Sequence, residues 1–258
     1  MMNRISVKIV LALIGVLTVI MVISTYMIVE QRSTVLREEL LVKASSLAKI
    51  GAKAMEDVLE QSLSSGQFFK EQLFDTDYQE ITDGPLAGSA IPKYRTSYDL
   101  YLDMSIKDFQ DTFAASDPMV VFAVLVDRNG YLPTHNSKYS KPLTGDAEID
   151  KVGNRTKRIF NDPTGLAAAV YNNEDGKGYL RQIYKRDTGV TMWDVSAPVY
   201  VRGEHWGGFR IGFSMQQTDA AIVELRNTVA MSMFLVLFCA SITCLLVVSR
   251  MMRPLKAL

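Results

Sequence analysis

The distribution of charged residues along the chain predicts two membrane helices. Residues 9–29 and 229–248 contain no Asp, Glu, Lys or Arg, whereas residues 30–228 mix polar and apolar positions throughout. A helix of ~20 residues, at ~1.5 Å per residue, spans the ~30 Å hydrocarbon core of a bilayer. The first stretch lacks an Ala-x-Ala cleavage site at its end, which favours an uncleaved anchor over a signal peptide. We therefore expect a folded domain of residues 30–228 between two anchors.

The charges at the two ends of the chain predict its orientation. Arg4 and Lys8 precede the first anchor, and Arg250, Arg253 and Lys256 follow the second. Lys and Arg in short flanking segments favour the cytoplasmic side, so we expect residues 1–8 and 249–258 inside and the domain outside. All 28 acidic residues lie in the outer segment, which makes it net acidic and argues against a nucleic-acid partner. Both cysteines lie in the second anchor, which excludes a disulfide and a thiolate metal site in the outer domain.

The hydrophobic periodicity between the anchors predicts an α+β domain with a long N-terminal stalk helix. Neither Gly nor Pro occurs at residues 16–50, so the first membrane helix is expected to continue outward until Ser64-Ser65-Gly66. Its apolar positions have a helical spacing that suits packing either on the chain's own domain or against a second copy in a homodimer. Both alternatives stay open. These positions are Leu36, Leu40, Leu47, Ile50 and Ala54.

The remaining segments predict one antiparallel sheet. Residues 96–115 have a helical period, and residues 120–127 form a β-branched apolar run followed by turn residues, which predicts a strand and a hairpin. Residues 178–186, 190–202 and 206–214 are separated by turn signals, which predicts a three-stranded meander. A mixed crossover, residues 142–176, joins the two parts. From residue 216 the chain is expected to be helical into the second anchor.

The last strand suggests where a ligand could bind. Phe209, Ile211 and Phe213 alternate with Trp206, Gly208, Arg210 and Gly212, so the first set is expected to pack on the stalk helix. An arginine flanked by glycines on the other face suggests a cavity in which a guanidinium binds a carboxylate. The alternative is an internal salt bridge to Asp194 on the neighbouring strand.

Further polar clusters allow two interpretations each. If residues 154–158 are helical, Arg155 and Arg158 share a face, and either the cluster is solvated or one arginine turns inward. Tyr184 and Arg186 precede a predicted turn, where Arg186 either binds a ligand or pairs with Asp187. The only histidines, His135 and His205, have no metal-ligand spacing. No nucleophile elbow, phosphate loop or paired-carboxylate motif occurs, so an enzyme is not expected.

Several separated motifs resemble the extracytoplasmic single Cache, PAS-like sensor region of bacterial methyl-accepting chemotaxis proteins. They are LFDTDY (73–78), GYLPTHN (130–136), NRTKRIFND (154–162), YKRDTG (184–189), MWDVSAPVYV (192–201) and HWGGFRIG (205–212). The segment MRPL (252–255) resembles the start of a HAMP linker. The resemblance implies a receptor in the bacterial inner membrane with a periplasmic sensor domain.

The chain also departs from relatives of this kind. Some of them attach haem through Cys-x-x-Cys-His, which is absent here, so covalent haem is excluded. The sequence ends at Leu258, inside the expected first HAMP helix, so it is either a fragment or ends there naturally. A histidine kinase or a diguanylate cyclase output would suit the same input region, with cytoplasmic signalling partners reached through the missing output region.

The sequence therefore predicts a homodimeric transmembrane sensor, the input half of a chemoreceptor, that binds a small molecule, such as an organic anion, without a cofactor. The expected ligand contacts are Tyr131, His135, Arg158, Tyr184, Arg186, Asp194 and Arg210. One alternative is a redox or gas sensor that holds haem noncovalently through His135 or His205. Another is an interaction protein, which would have an apolar surface patch and no enclosed cavity.

Overall fold

The computed structural model describes residues 4–185, 189 and 191–251, which fall into two compact units. Residues 40–215 form the first unit, and the described residues before 40 and after 215 form the second. Arg186 and the HAMP-like residues 252–255 lie outside the described residues.

The helices are α1 (Arg4–Ser64), α2 (Lys70–Leu73), α3 (Asp99–Ser105), α4 (Lys107–Ala115), α5 (Ala147–Gly153), α6 (Pro163–Val170) and α7 (Gln216–Met251). The strands are β1 (Gln79–Glu80), β2 (Tyr94–Arg95), β3 (Val120–Asp127), β4 (Tyr131–Leu132), β5 (Arg158–Ile159), β6 (Leu180–Lys185), β7 (Thr191–Val201) and β8 (Glu204–Ser214). Helices α1 and α7 are long and apolar enough to cross a membrane. The uninterrupted first helix and its end at Ser64 are as predicted.

The central sheet has four antiparallel strands in the order β3-β8-β7-β6, and this confirms the predicted α+β class and the meander. The hairpin predicted after β3 is wrong. The turn itself forms, with Asp127 Oδ1 accepting from the Asn129 and Tyr131 amides, but Tyr131 then pairs with Ile159 instead of β3. Strand β8 pairs with one edge of β3. On the other edge, Asn136 Oδ1 accepts a hydrogen bond from the Ala123 amide at 2.9 Å, so a side chain occupies the place of a neighbouring strand.

The sheet packs on α1 through the predicted residues of β8. Phe209, Ile211 and Phe213 are fully buried in a core that includes α1, α3, β3 and β7. Trp206 was expected on the opposite face but lies in this same core. The register between β7 and β8 shifts between Val199 and Tyr200, which adds one residue to β8 at this point and reverses the alternation. The Trp206 indole then donates to the Leu73 carbonyl at 2.7 Å.

The buried face of α1 is made largely of small residues, unlike the predicted stripe. Of the predicted positions Leu40 is buried, but Ile50 is 60% exposed. The face that packs on the domain carries Ala44, Ala48 and Gly51, because the helix approaches β8 closely. A Cβ on Gly51 would lie only 2.0 Å from the Phe209 ring.

The helix predicted over residues 96–115 is two short helices, α3 and α4, joined at Ile106. Ile106 has a φ of −117°, well away from the value of about −63° typical of a regular α-helix, and its side chain is fully buried. The helix thus breaks where this side chain is buried in the core. The continuous apolar period of residues 96–115 did not indicate the break.

Candidate functional site

The sheet face opposite α1 contains a small cavity with polar and apolar walls. Its volume is about 20 Å³, enough for a water molecule. The polar residues that line it are His135, Arg155, Tyr184 and Arg210, and the apolar ones are Phe122, Val124, Leu132 and Phe160. Three of the predicted ligand contacts, His135, Tyr184 and Arg210, thus lie around one cavity.

Arg210 forms a buried ion pair with Asp194. Its Nη2 and Nε lie 2.7 and 3.2 Å from Asp194 Oδ2, and the two side chains are 5% and 0% exposed. Burial raises the pKa of Asp194, and the Arg210 guanidinium opposes that shift. The internal salt bridge considered from the sequence is therefore present, while ligand binding by either residue stays a prediction.

A buried hydroxyl lies beside this ion pair. Ser196 is directly opposite Arg210 in the β7–β8 register, so the two side chains share a face of the sheet. Ser196 is fully buried, and its Oγ has no hydrogen-bond partner among the described residues. Sequence reasoning missed this residue because serine within a β-strand carries no distinctive signal.

His135 is positioned by the segment that covers the edge of β3. The following residue, Asn136, accepts from the Ala123 amide and donates to the Gln110 carbonyl at 2.7 Å. The His135 ring is buried, with its centroid 6.1 Å from that of Phe122 and 4.9 Å from that of Tyr139. An edge-on aromatic environment of this kind fixes the ring orientation.

Arg155, not Arg158, lines the cavity. Helix α5 ends at Gly153, so the shared helical face considered for Arg155 and Arg158 is wrong. The Arg155 amide donates to the Tyr139 carbonyl at 2.7 Å, and the side chain is buried. Arg158 lies in β5, where its guanidinium is 5.0 Å from the centre of the Phe160 ring. Sequence spacing alone gave no criterion for choosing between them.

Of the other predicted contacts, Tyr131 lies away from this cavity. Tyr131 is in the core on the α1 side of the sheet, where its hydroxyl donates to the Tyr94 carbonyl at 2.8 Å. Burial there raises the pKa of Tyr131 far above its ordinary value. Arg186 lies outside the described residues, so its place relative to the cavity is not defined.

The dimensions of the site limit what it holds in this conformation. Sites for drug-sized ligands and cofactors are typically ~300–1,000 Å³, so the cavity beside His135 does not accommodate a porphyrin as observed. His205 lies outside this cavity, with its ring 5.9 Å from that of Tyr200, and burial lowers its pKa. Within the described part of the chain, no three His, Cys, Asp or Glu residues are placed to hold a metal ion.

Comparison with sequence families and curated proteins gives no match. No family model matches the chain. No curated protein matches either.

Solved structures similar to this chain include sensor and ligand-binding domains. The Escherichia coli DcuS sensor domain has a TM-score of 0.31 and 16% identity, covering 45% of this chain and 71% of its own. The sensory domain of the Campylobacter jejuni chemoreceptor Tlp3, solved with isoleucine bound, has a TM-score of 0.34 and 13% identity, covering 74% and 65%. An extracellular ligand-binding receptor from Desulfohalobium retbaense has a TM-score of 0.32 and 13% identity, covering 71% and 27%.

These neighbours belong to the class of domain that the sequence motifs resemble. The chain spans less than two thirds of the length of the Tlp3 and Desulfohalobium proteins. The TM-scores of these three structures are all below 0.5.

Proposed function

We propose that this chain is the input module of a transmembrane receptor whose outer domain binds a small carboxylate at the cavity on the second face of the sheet. The observation that carries the proposal is the convergence of two buried guanidinium groups, Arg155 and Arg210, with His135 and Tyr184 around one cavity. No such set is needed to pack a sheet face, which apolar side chains would cover at lower cost.

The chemistry of the lining favours a carboxylate with a short carbon skeleton. Guanidinium groups bind carboxylates through paired, charge-assisted hydrogen bonds, and a tyrosine hydroxyl can donate a further one. The Ser196 hydroxyl does not line the cavity as observed, but it is opposite Arg210 on the same face and has no partner among the described residues, so a ligand or a water in the enlarged cavity could satisfy it. The apolar residues Phe122, Val124, Leu132 and Phe160 suit a short aliphatic portion.

Binding would require the cavity to enlarge, because about 20 Å³ is too small even for acetate. A ligand shifts an equilibrium only through its differential affinity for the two conformations. The ligand-bound state would therefore have more space between β8 and the segment that carries Arg155.

The two faces of β8 suggest how occupancy reaches the membrane helices. Arg210 faces the cavity, and its neighbour Phe209 packs on the other face against Gly51 of α1. A displacement of β8 would therefore push directly on α1, the same continuous helix that begins at Arg4. Shifts of ~1–2 Å are typical of helices in switching proteins. The last residue of β8, Ser214, is followed after Met215 by α7, so the second anchor also continues from this strand.

The orientation in the membrane, the oligomeric state and the output of the receptor are part of the same proposal. The basic flanks of both anchors support cytoplasmic termini and a periplasmic domain in a bacterial inner membrane. A homodimer, with cytoplasmic partners reached through residues 249–258 and an output region, would complete the receptor. The motif resemblance favours chemotaxis as the output, and a histidine kinase or a diguanylate cyclase is the alternative.

A ligand screen tests the proposal. The full chain in lipid nanodiscs is titrated with acetate, propionate, pyruvate and succinate, then with amino acids and amines, while its thermal unfolding is recorded. The two tryptophans, Trp193 and Trp206, both lie in the core of the domain, so their fluorescence follows the domain alone. We expect at least one carboxylate to raise the melting temperature, and Arg155→Gln to abolish the shift.

The matched control is Arg95→Gln, which removes an exposed guanidinium that pairs with Asp83. It should leave the ligand-induced shift intact. Stabilisation by amines only, or an equal response of wild type and Arg155→Gln to every carboxylate, would contradict the proposed site.

A further inference from the structure

Lys93 is a buried lysine whose ammonium contacts the chain on both sides of Arg155. Its side chain is 2% exposed, and Nζ donates to Asn154 Oδ1 at 2.7 Å and to the Asn154 and Thr156 carbonyls, each at 2.9 Å. When it is protonated, the amino group has three protons, one for each of these acceptors, and burial and the nearby guanidiniums lower the pKa of Lys93 to about 7. All three acceptors are neutral, so none of them balances the positive charge of Lys93.

This arrangement is expensive for stability. Burying an ammonium is costly unless a counter-charge compensates for the lost hydration. The nearby Arg158 and Arg155 side chains repel the Lys93 charge, and Asp150 attracts it. A methionine of similar length would fill the space without this cost. The benefit of a lysine must therefore lie in what its three hydrogen bonds hold.

The three hydrogen bonds of Lys93 hold the segment around Arg155, which has little regular structure of its own. Between α5 and β5, the Arg155 amide bonds to the Tyr139 carbonyl, and the Thr156 hydroxyl donates to the Pro133 carbonyl at 3.3 Å. Lys157 then adopts a φ of 59°, in the left-handed region that is strained for residues other than glycine. The two carbonyls that Lys93 binds belong to the residues immediately before and after Arg155, so they fix the backbone from which its side chain extends.

We propose that Lys93 is a positioning residue for the carboxylate pocket. Through its hydrogen bonds to Asn154 and Thr156, Lys93 holds Arg155 in place. The inference rests on the proposed function, since it assigns Lys93 a role only if Arg155 contacts the ligand. It predicts that Lys93 acts on affinity entirely through Arg155. Residues that act through one another give non-additive effects in a double-mutant cycle.

The test is a double-mutant cycle on the full chain in nanodiscs, with affinities for acetate, propionate, pyruvate and succinate measured by calorimetry. Arg155→Gln should weaken the binding carboxylate at least tenfold, and Lys93→Met at least fivefold. The double variant should bind within twofold of Arg155→Gln alone. Lys93→Gln, which keeps two of the three donors, should lie between wild type and Lys93→Met and serves in its place if Lys93→Met does not fold.

Lys157→Met is the matched control. Lys157 is also a buried lysine and lies on the segment that carries Arg155, but its Nζ binds Asp103 at 2.6 Å and Asp99 at 3.2 Å, both in α3. It should destabilise the domain yet change the affinity less than twofold. Three results would overturn the proposal for Lys93 while leaving the proposed pocket intact. In the first, Arg155→Gln weakens binding and Lys93→Met does not; in the second, the effects of these two substitutions add. In the third, Lys157→Met weakens binding as much as Lys93→Met does. Both proposals fall if Arg155→Gln has no effect or no carboxylate binds.

Discussion

At the scale of single residues, the buried charges of the domain are compensated in two different ways. Asp194 and Arg210 pair directly on the cavity face, and Lys157 pairs directly with Asp99 and Asp103 of α3. Lys93, by contrast, is held by neutral acceptors. Removing one partner of a direct pair leaves an uncompensated charge, whereas removing Lys93 removes a charge that already costs stability.

The ion pair on the cavity face gives a prediction about stability. Asp194→Asn should destabilise the domain by about 3–5 kcal/mol because it leaves the Arg210 guanidinium buried without its partner. The melting temperature followed by tryptophan fluorescence should then fall by on the order of 10 °C. Replacing both residues, Asp194→Met with Arg210→Met, should recover most of the loss. A double variant as unstable as Asp194→Asn would show that the pair itself stabilises the fold.

Lys93 gives a prediction about pH. Burial and the Arg158 and Arg155 guanidiniums lower the pKa of Lys93 to about 7, against an ordinary value of 10.5. Between these values the unfolded chain binds the proton and the folded chain does not, so this group makes stability rise with pH, by at most ~1.4 kcal/mol per unit. From pH 7 to 9 the melting temperature of wild type should therefore rise relative to that of Lys93→Met. Parallel pH profiles would refute the assignment.

At the scale of elements, the packing of α1 on the sheet depends on residues too small to stand out in the sequence. Ala44, Ala48 and Gly51 let the helix lie close to β8, and large apolar side chains come mainly from the sheet. Two glutamates of α1 add hydrogen bonds to the β7–β8 hairpin. Glu56 accepts from the Tyr200 amide at 3.1 Å, and Glu60 accepts from the Arg202 amide at 2.5 Å.

The close approach at Gly51 can be tested by adding a single methyl group. Gly51→Ala gains up to ~1 kcal/mol in helix propensity, but its Cβ would overlap the Phe209 ring, and overpacking of this kind costs ~1–3 kcal/mol. We expect a lower melting temperature of the domain. Gly15→Ala, in the same helix but with open space around the added atom, should leave it unchanged. Adding Phe209→Leu should restore stability to Gly51→Ala if the clash is the cause.

The elements with a strong local period were predictable, and those set by contacts across the fold were not. The alternation of Phe209, Ile211 and Phe213 correctly indicated the face of β8 that packs on α1. The bulge that places Trp206 on the α1 face of the sheet depends on which strands are adjacent in space. The same is true of the pairing of Tyr131 with Ile159. Of the cavity residues, His135, Tyr184 and Arg210 were among the predicted contacts. The backbone next to Arg155 is bonded to Lys93, far away in the sequence, and no local pattern indicates that contact.

At the scale of the whole molecule, two apolar helices of membrane-spanning length are continuous with the elements that form the domain. Helix α1 supplies both the first anchor and the helix under the sheet, and α7 follows β8 after a single residue. A receptor needs such continuity, because any displacement within the domain must be transmitted through these two helices.

The proposed orientation can be tested by cysteine labelling in intact cells. The native cysteines, Cys239 and Cys244, are first replaced by alanine. Lys138→Cys, at an exposed position of the domain, should react with a membrane-impermeant maleimide, because the domain is proposed to lie outside. Lys256→Cys should react only after the inner membrane is permeabilised. The reverse pattern would invert the topology and exclude an extracytoplasmic sensor.

The central claim is that Arg155 and its neighbours bind a carboxylate on the second face of the sheet. Calorimetric titration of the full chain in nanodiscs with acetate, propionate, pyruvate and succinate tests it most directly, comparing wild type, Arg155→Gln and Arg95→Gln. Loss of a charge-assisted hydrogen bond costs ~1.5–3 kcal/mol, so Arg155→Gln should weaken the binding carboxylate by about 10- to 100-fold while Arg95→Gln binds as wild type does. Equal affinity of all three proteins, or the absence of binding to wild type, would contradict the account.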